Sequence, residues 1–488
     1  MADNLVFNPE LYVKGTVNFR GEDIAYRFFS VDYVTAPAAP ELQKMNIYVR
    51  EDLADSHEAP ILFIHRDGGV GEAAAWSLET EGEEHHVRWS FKGHVMVGAL
   101  NAPKEPESVI ARALKEGFVV ASPGVRGRET VVGGVYVGRG DLPMTIIDLK
   151  AAVRYLKYNS GRVPGNTDRI ISEGGSSGGG SSALLGASGN SPLYEKYLQE
   201  LGAAPAGDDI YCALVDSPIH DFEHIDIAYE WQFGVDYVKG LFEEDQVSTA
   251  MSRAAAGKFA EYVDSLELKN PDTGAALSVK DGSYPDFMLE KLNESLNVYL
   301  SGMSTQEKQA WLSDEKNAGL ARLEGDKAVI DSLAAYIGWN AGRWMKYVGC
   351  YDGFLDNASR ENEAFGPVSG GVDHFSVSLA EAIKSVPEMA AAGTAWKEAS
   401  LKNALAIKLL DTYSFLRGEE KSDIAPVWYV RCGGHHETTG AIFFNLCLLL
   451  EKLPDITLDW RFCWQQNHTS ISLKEFDETM VFLGQMLS

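Results

Sequence analysis

The sequence predicts an α/β protein: a mostly parallel central sheet with helices on both faces, interrupted by a large, mainly helical insertion. Three observations predict it. The runs Pro60–His65, Gly117–Ser122 and Arg169–Ser172 are nearly continuously apolar, as strands buried on both faces are. A helical pattern at Asp148–Tyr158 puts Leu149, Ala152, Val153 and Leu156 on one face and leads through the turn Gly161–Asn166 into the strand at Arg169, a βαβ unit. From about Ile225 to Lys402 the texture changes to amphipathic helices, after which strand-like runs return.

In chain order, Leu11–Phe19, Asp23–Val34 and Met45–Val49 read as an antiparallel lead-in, with Thr35–Pro40 as a loop. The three apolar strands follow, the last running straight into the glycine-serine cluster Gly174–Ser182, with helix expected at Ser181–Ala187. Loops such as Lys269–Tyr284 and Asn362–Asp373 break the helical stretch. Strands return at Pro426–Arg431 and Ile456–Trp464, separated by the apolar helix Ala441–Leu453. The expected organisation is a core formed by residues 1–220 and 402–488 around an inserted lid domain at 221–401.

Composition narrows the function. The chain has 488 residues, 45% apolar and 23% charged, the balance of an ordinary folded enzyme. A chain of this length buries about three quarters of its unfolded surface and needs no disulfide staples. Lys and Arg number 43 against 70 Asp and Glu, a net charge of −27. That balance argues against nucleic acid and against an anionic membrane surface, both of which need clustered cations. Five widely spaced cysteines without a CxxC point to reduced thiols, not to a disulfide framework or a zinc ribbon. Met1–Glu10 has no basic or apolar leader pattern and no run reaches the ~18 apolar residues of a membrane span, so the cytoplasm is the expected location.

The sharpest chemical signal is Gly174-Gly175-Ser176-Ser177-Gly178-Gly179 between strand and helix. A G-x-S-x-G at such a junction is a nucleophile elbow, where small residues flank a serine because the tight turn leaves no room for side chains. The pattern also fits with Ser177 at its centre. Counting from the strand favours Ser176 as nucleophile, with the Ser177 amide as an oxyanion donor. A phosphate loop lacks its Gly-Lys-Ser/Thr here. The base belongs after the last strand, where His468 stands in Gln465-Gln466-Asn467-His468-Thr469. The acid belongs after the strand before it, in Cys432-Gly433-Gly434-His435-His436-Glu437, where Glu437 is the available carboxylate, although a solvated Glu or a helix cap fits the same text. A second oxyanion amide is expected from Gly68 or Gly69, of which Gly69 is preferred. The pairs His85-His86 and His435-His436 and the run His220–His224 lack the spacing of a metal site, so neither metal nor cofactor is expected.

With these features in place, the chain resembles the bacterial tannases of the α/β-hydrolase superfamily. The likeness runs through Ser122–Arg128, the helix Asp148–Tyr158, the elbow with Leu184–Asn190, Ser217-Pro218-Ile219 and Ala228–Trp231, and it continues at Met345-Lys346 and Glu361–Gly366. The resemblance implies a serine carboxylesterase acting on esters of gallic or related hydroxybenzoic acids. It also implies that Lys346, Glu361 and Glu437 hold the phenolic hydroxyls of the substrate. Hydrogen bonds of that kind select a polyhydroxylated ring over a bare phenyl ester. The family's acid loop carries two acids one residue apart followed by Thr. Aligning Glu437-Thr438 with the second acid puts His435 in the triad, whereas shifting the register makes Glu437 the triad acid and leaves the substrate contact to Thr439. Both registers stay open. The fungal-type pattern of cysteines beside the Ser and His is absent, since Gly175 precedes Ser176. A feruloyl-type or general aryl esterase is the alternative within the enzyme class, and a silent binding protein of this fold is the alternative outside it.

Overall fold

The computed structural model describes residues 5–65, 67, 70–79, 108–140, 144–340, 347–353, 359–434, 440–464, 468 and 477–485 in full, and the backbone alone of 86–91, 94–99, 473–476 and 486–487. The main sheet comprises β1 (Val13–Phe19), β2 (Glu22–Asp32), β3 (Lys44–Arg50), β4 (Pro60–Ile64), β5 (Val119–Pro123), β6 (Asn166–Gly175), β7 (Cys212–Asp216), β8 (Val427–Gly433) and β9 (Thr457–Cys463). Their order is β1-β2-β3-β5-β4-β6-β7-β8-β9. The lead-in strands β1 to β3 and the β3–β5 pair are antiparallel. Every pair from β5 to β9 is parallel.

Alternation along the parallel strands feeds two apolar layers, which is why helices cover both faces. Leu62, Ile64, Val120, Ile171, Leu214 and Tyr429 pack with helix α1 (Val109–Lys115) and with Met480 and Leu483 of the last helix. Ile61, Phe63, Ala121, Ile170, Ala213 and Trp428 pack with α2 (Met144–Tyr158) and α3 (Ser177–Ala187) on the other side. Between β7 and β8 the chain is mostly helical, including α4 (Ile225–Phe233), α5 (Gln246–Ser265), α6 (Ser283–Tyr299) and the short α7 (Arg360–Phe365). Buried side chains of this stretch, such as Trp231, Phe259, Tyr284 and Leu292, join the same apolar cluster as α2 and α3.

Some element boundaries differ from the sequence expectation. Helix α2 starts at Met144, four residues before Asp148. Asp148 marks no helix start: it is fully buried mid-helix, 2.6 Å from Arg126, and also accepts from Gln43. Helix α3 starts at Ser177 instead of Ser181, because Gly178 to Gly180 adopt helical backbone despite their poor propensity. The strand β7, within the apolar run Ile210–Val215 that the sequence reading did not single out, completes the sheet between β6 and β8.

Candidate active site

Strand β6 ends at Gly175, and the next residue, Ser176, has φ 61° and ψ −127°, a conformation costly for a residue with a Cβ. The surrounding structure holds it there. The Ser176 N–H donates to the Asp216 carbonyl at 3.0 Å, and the Ser176 carbonyl accepts from Ile219 and Gly180 at 2.9 and 3.1 Å. Glycine is required around it: a Cβ at Gly174 would lie 2.6 Å from the His65 ring, and one at Gly180 would collide with the Ile219 carbonyl. The sharp turn lifts the Ser176 hydroxyl beyond the end of the strand.

There it meets His468, with Ser176 Oγ 2.8 Å from His468 Nε2 across 292 residues of sequence. Burial, reinforced by the positive charge of Arg360, pushes the His468 imidazole down to about 4. A neutral ring can accept the serine proton, so the pair has the geometry of a nucleophile and its base. The two readings of the glycine-serine cluster separate in space. Ser176 faces the histidine, whereas the Ser177 hydroxyl donates to the Asp67 carbonyl and accepts from the Val70 N–H, both at 2.8 Å.

The loop after β4 carries a polar network that sequence reasoning did not single out. Asp67, 1% exposed, accepts from His65 Nδ1 at 2.6 Å and from the Ser181 hydroxyl at 2.5 Å. His65 Nε2 lies 3.0 Å from Ser172 Oγ, which in turn bonds Ser182 at 2.6 Å. Burial opposes the Asp67 charge, but His65 and Ser181 outweigh it and hold the carboxyl below its usual range. The available signal was a His-x-Asp directly after a strand, which also reads as an ordinary Asp-Gly turn.

Helix α7 supplies the other side. The Ser359 hydroxyl caps it by accepting from the Asn362 N–H, while the Asn362 side chain accepts from the Ser359 N–H. Glu361 on this helix is 7% exposed, and burial pushes its carboxyl up against the opposing charges of Arg360 and Arg128. An ion pair of 3.1 Å between Arg128 and Glu363 ties α7 to the loop after β5. Asp226 and Asp352 lie buried behind it. Asp226 accepts from the Tyr351 and Asp352 amides at 3.0 and 2.8 Å, and burial pushes it up to about 7. Arg360, which the sequence did not distinguish from any surface arginine, is close enough to both His468 and Glu361 to act on their charges.

The remaining expected site residues, Gly69, Lys346, His435 and Glu437, lie outside the described residues. The strand end before 435 is described: the Gly434 N–H donates to Cys463 at 2.7 Å, and Tyr336 donates to the Gly434 carbonyl at 2.9 Å. The ends of β8 and β9 are thus joined to each other and to the inserted segment. Among the described residues no group of three or more metal-ligating side chains converges. His220 bonds Tyr413 and His224 bonds Asp221, so the His220–His224 run is spent on separate contacts.

A family model described as BD-FAE, an α/β-hydrolase family, matches residues 95–256. No curated protein matches the sequence significantly. Among solved structures, a tannin acyl hydrolase in complex with ethyl gallate is 30% identical, with 100% of both chains covered and a TM-score of 0.81. The native tannin acyl hydrolase from Lactobacillus plantarum is 29% identical over 100% of both chains, with a TM-score of 0.80. Fusobacterium nucleatum tannase is 27% identical over 99% of both chains, with a TM-score of 0.79. Likeness over the whole length, insertion included, together with the sheet order, identifies the chain as a member of the tannin acyl hydrolase family, carboxylic ester hydrolases of the α/β-hydrolase fold.

Proposed function

We propose that the chain hydrolyses esters of gallic acid or related hydroxybenzoic acids through an acyl-enzyme on Ser176. The observation that carries this reading is the 2.8 Å approach of Ser176 to His468 at a strained turn, in a chain similar to a hydrolase described in complex with ethyl gallate. His468 takes the serine proton as Oγ attacks the ester carbonyl and returns it to the departing alcohol. Water then repeats the cycle on the acyl-enzyme and releases the acid. Glu437 orients His468 in this reading, with His435 as the alternative third member. The Ser177 and Gly69 amides bind the tetrahedral oxyanion, each donor being worth about 2.7–4 kcal/mol in comparable hydrolases. Lys346, Glu361 and Glu437 recognise the ring hydroxyls, and residues 221–401 act as a lid over the site. No described helix is long and apolar enough to cross a membrane. All five cysteines are buried and none is in a disulfide, which suits the reducing cytoplasm as the site of action.

Two measurements test the reading. A fluorophosphonate is expected to label the wild type and not Ser176→Ala; an unlabelled wild type would mean a silent protein. Methyl gallate is expected to be hydrolysed faster than methyl benzoate, with methyl ferulate separating the feruloyl-type alternative. Equal rates on gallate and benzoate would remove the role given to Lys346 and Glu361.

A further inference from the structure

We propose that the Ser177 hydroxyl and the Asp67 carboxylate are positioning groups that hold the loop after β4 at the distance the transition state requires. The proposal rests on the reading of Ser176 as nucleophile and of that loop as the source of the second oxyanion amide.

One side chain spans the loop. Ser177 Oγ donates to the Asp67 carbonyl and accepts from the Val70 N–H, each at 2.8 Å, so a single hydroxyl fixes both residues that flank positions 68 and 69. The backbone of Ser177 opens α3 immediately after the nucleophile. The two halves of the oxyanion hole are therefore built on one residue, whose amide forms the first donor and whose hydroxyl sets the place of the second. Free movement of the loop relative to the elbow is removed at the point where a misplacement of about 1 Å costs most.

The anchor extends further through Asp67. Its carboxylate takes one bond from His65, at the end of β4, and one from Ser181, a turn along α3 from Ser177. A buried carboxylate with two donors is a rigid support, because moving it would strand a charge in the protein interior. The outer face of the loop is held too, by the Arg128 N–H donating to the Val70 carbonyl at 3.1 Å. These side chains bond one another and the loop backbone, so their effect on rate runs through geometry.

The test uses the full-length enzyme and the near-isosteric variants Ser177→Ala and Asp67→Asn, with methyl gallate as substrate. Two probes accompany it: 3,4-dihydroxybenzoate, a planar product-like acid, and 3,4-dihydroxyphenylboronic acid, which becomes tetrahedral on Ser176. Each variant is expected to lose about 10- to 100-fold in kcat, short of the 10²- to 10³-fold lost when a donor is removed outright. KM and benzoate affinity stay within threefold, and boronate affinity falls in parallel with kcat, because only the tetrahedral species uses the hole. The double variant loses less than the product of the two single losses, since both changes free one loop. The proposal is overturned if kcat stays within threefold of wild type in both variants, or if benzoate and boronate weaken together, which would mean a generally distorted pocket. Failure of the underlying reading is separate: Ser176→Ala would retain turnover, and the proposal would fall with it.

Discussion

Burial and Arg360 both act on the imidazole of His468, pushing it down to about 4. A carboxylate on its other nitrogen would oppose both. The base works only when neutral, so kcat/KM rises with pH through the imidazole pKa. With Glu437 as the third member, that carboxylate holds the acid limb of the wild type higher than it would otherwise stand. Glu437→Gln then moves the limb to lower pH and lowers kcat by up to about 10⁴-fold. With His435 in that place, Glu437→Gln leaves the limb unmoved and His435→Ala shifts it. A pH–rate profile of the three proteins decides between the two registers. Ser176 and His468 were legible because strand, turn and chain order single them out. The acid was not, because residues 435 to 437 hold two histidines and a glutamate and the pattern fits in two alignments. Asp67 was not legible either, since its purpose depends on Ser181, 114 positions away.

Two glycines show how differently helices here tolerate a methyl group. Gly180 lies in α3 with its hydrogen against the Ile219 carbonyl, and a Cβ there forces the elbow away from the loop after β7. Gly180→Ala is expected to destabilise the protein by about 1–3 kcal/mol and to lower kcat by displacing Ser176. Gly257 sits exposed in α5 with nothing within 4 Å of an added Cβ. Gly257→Ala is expected to stabilise by roughly 0.5–1 kcal/mol with activity unchanged. Chemical denaturation alongside a turnover assay checks both. The parallel strands were readable from apolar runs because double-sided burial leaves that signature. The start of α2 was not, because the stripe Leu149, Ala152, Val153 and Leu156 leaves the preceding turn undetermined, and only the fold shows that Asp148 sits mid-helix against Arg126.

Across the whole molecule, several buried carboxyls between β7 and β8 keep their protons to higher pH than a solvated acid does. Asp226 is pushed up to about 7 and Asp411 to about 6, both by burial first, while Asp352 and Glu361 are also raised. An unfolded aspartate ionises near 4, so between about 4 and 7 the folded chain binds the proton that the unfolded chain has lost, and Asp226 makes stability fall as pH rises through that window. Three histidines, the buried His220 and the partly exposed His374 and His468, are lowered to about 4 by desolvation first and act in the opposite direction. The difference between wild type and Asp226→Asn isolates the aspartate: measured by calorimetry, wild type is expected to lose ground to the variant from pH 5 to pH 7. A flat difference would mean that Asp226 is ionised in the folded state throughout. The composition showed the acidic excess, but not which carboxylates would be shut away from water.

The pairing of β7 with β8 matches Cys212 to Val427 and continues to Asp216 and Arg431, although the whole helical stretch separates the two strands in the chain. On the ribosome, at roughly 5–20 residues per second, β7 therefore waits about ten to forty seconds for its neighbour. During that interval one flank of a strand that is wholly buried in the finished fold lacks its native cover, open to pairing with other nascent chains. Shortening the stretch between these strands would shorten that wait in proportion to the residues removed.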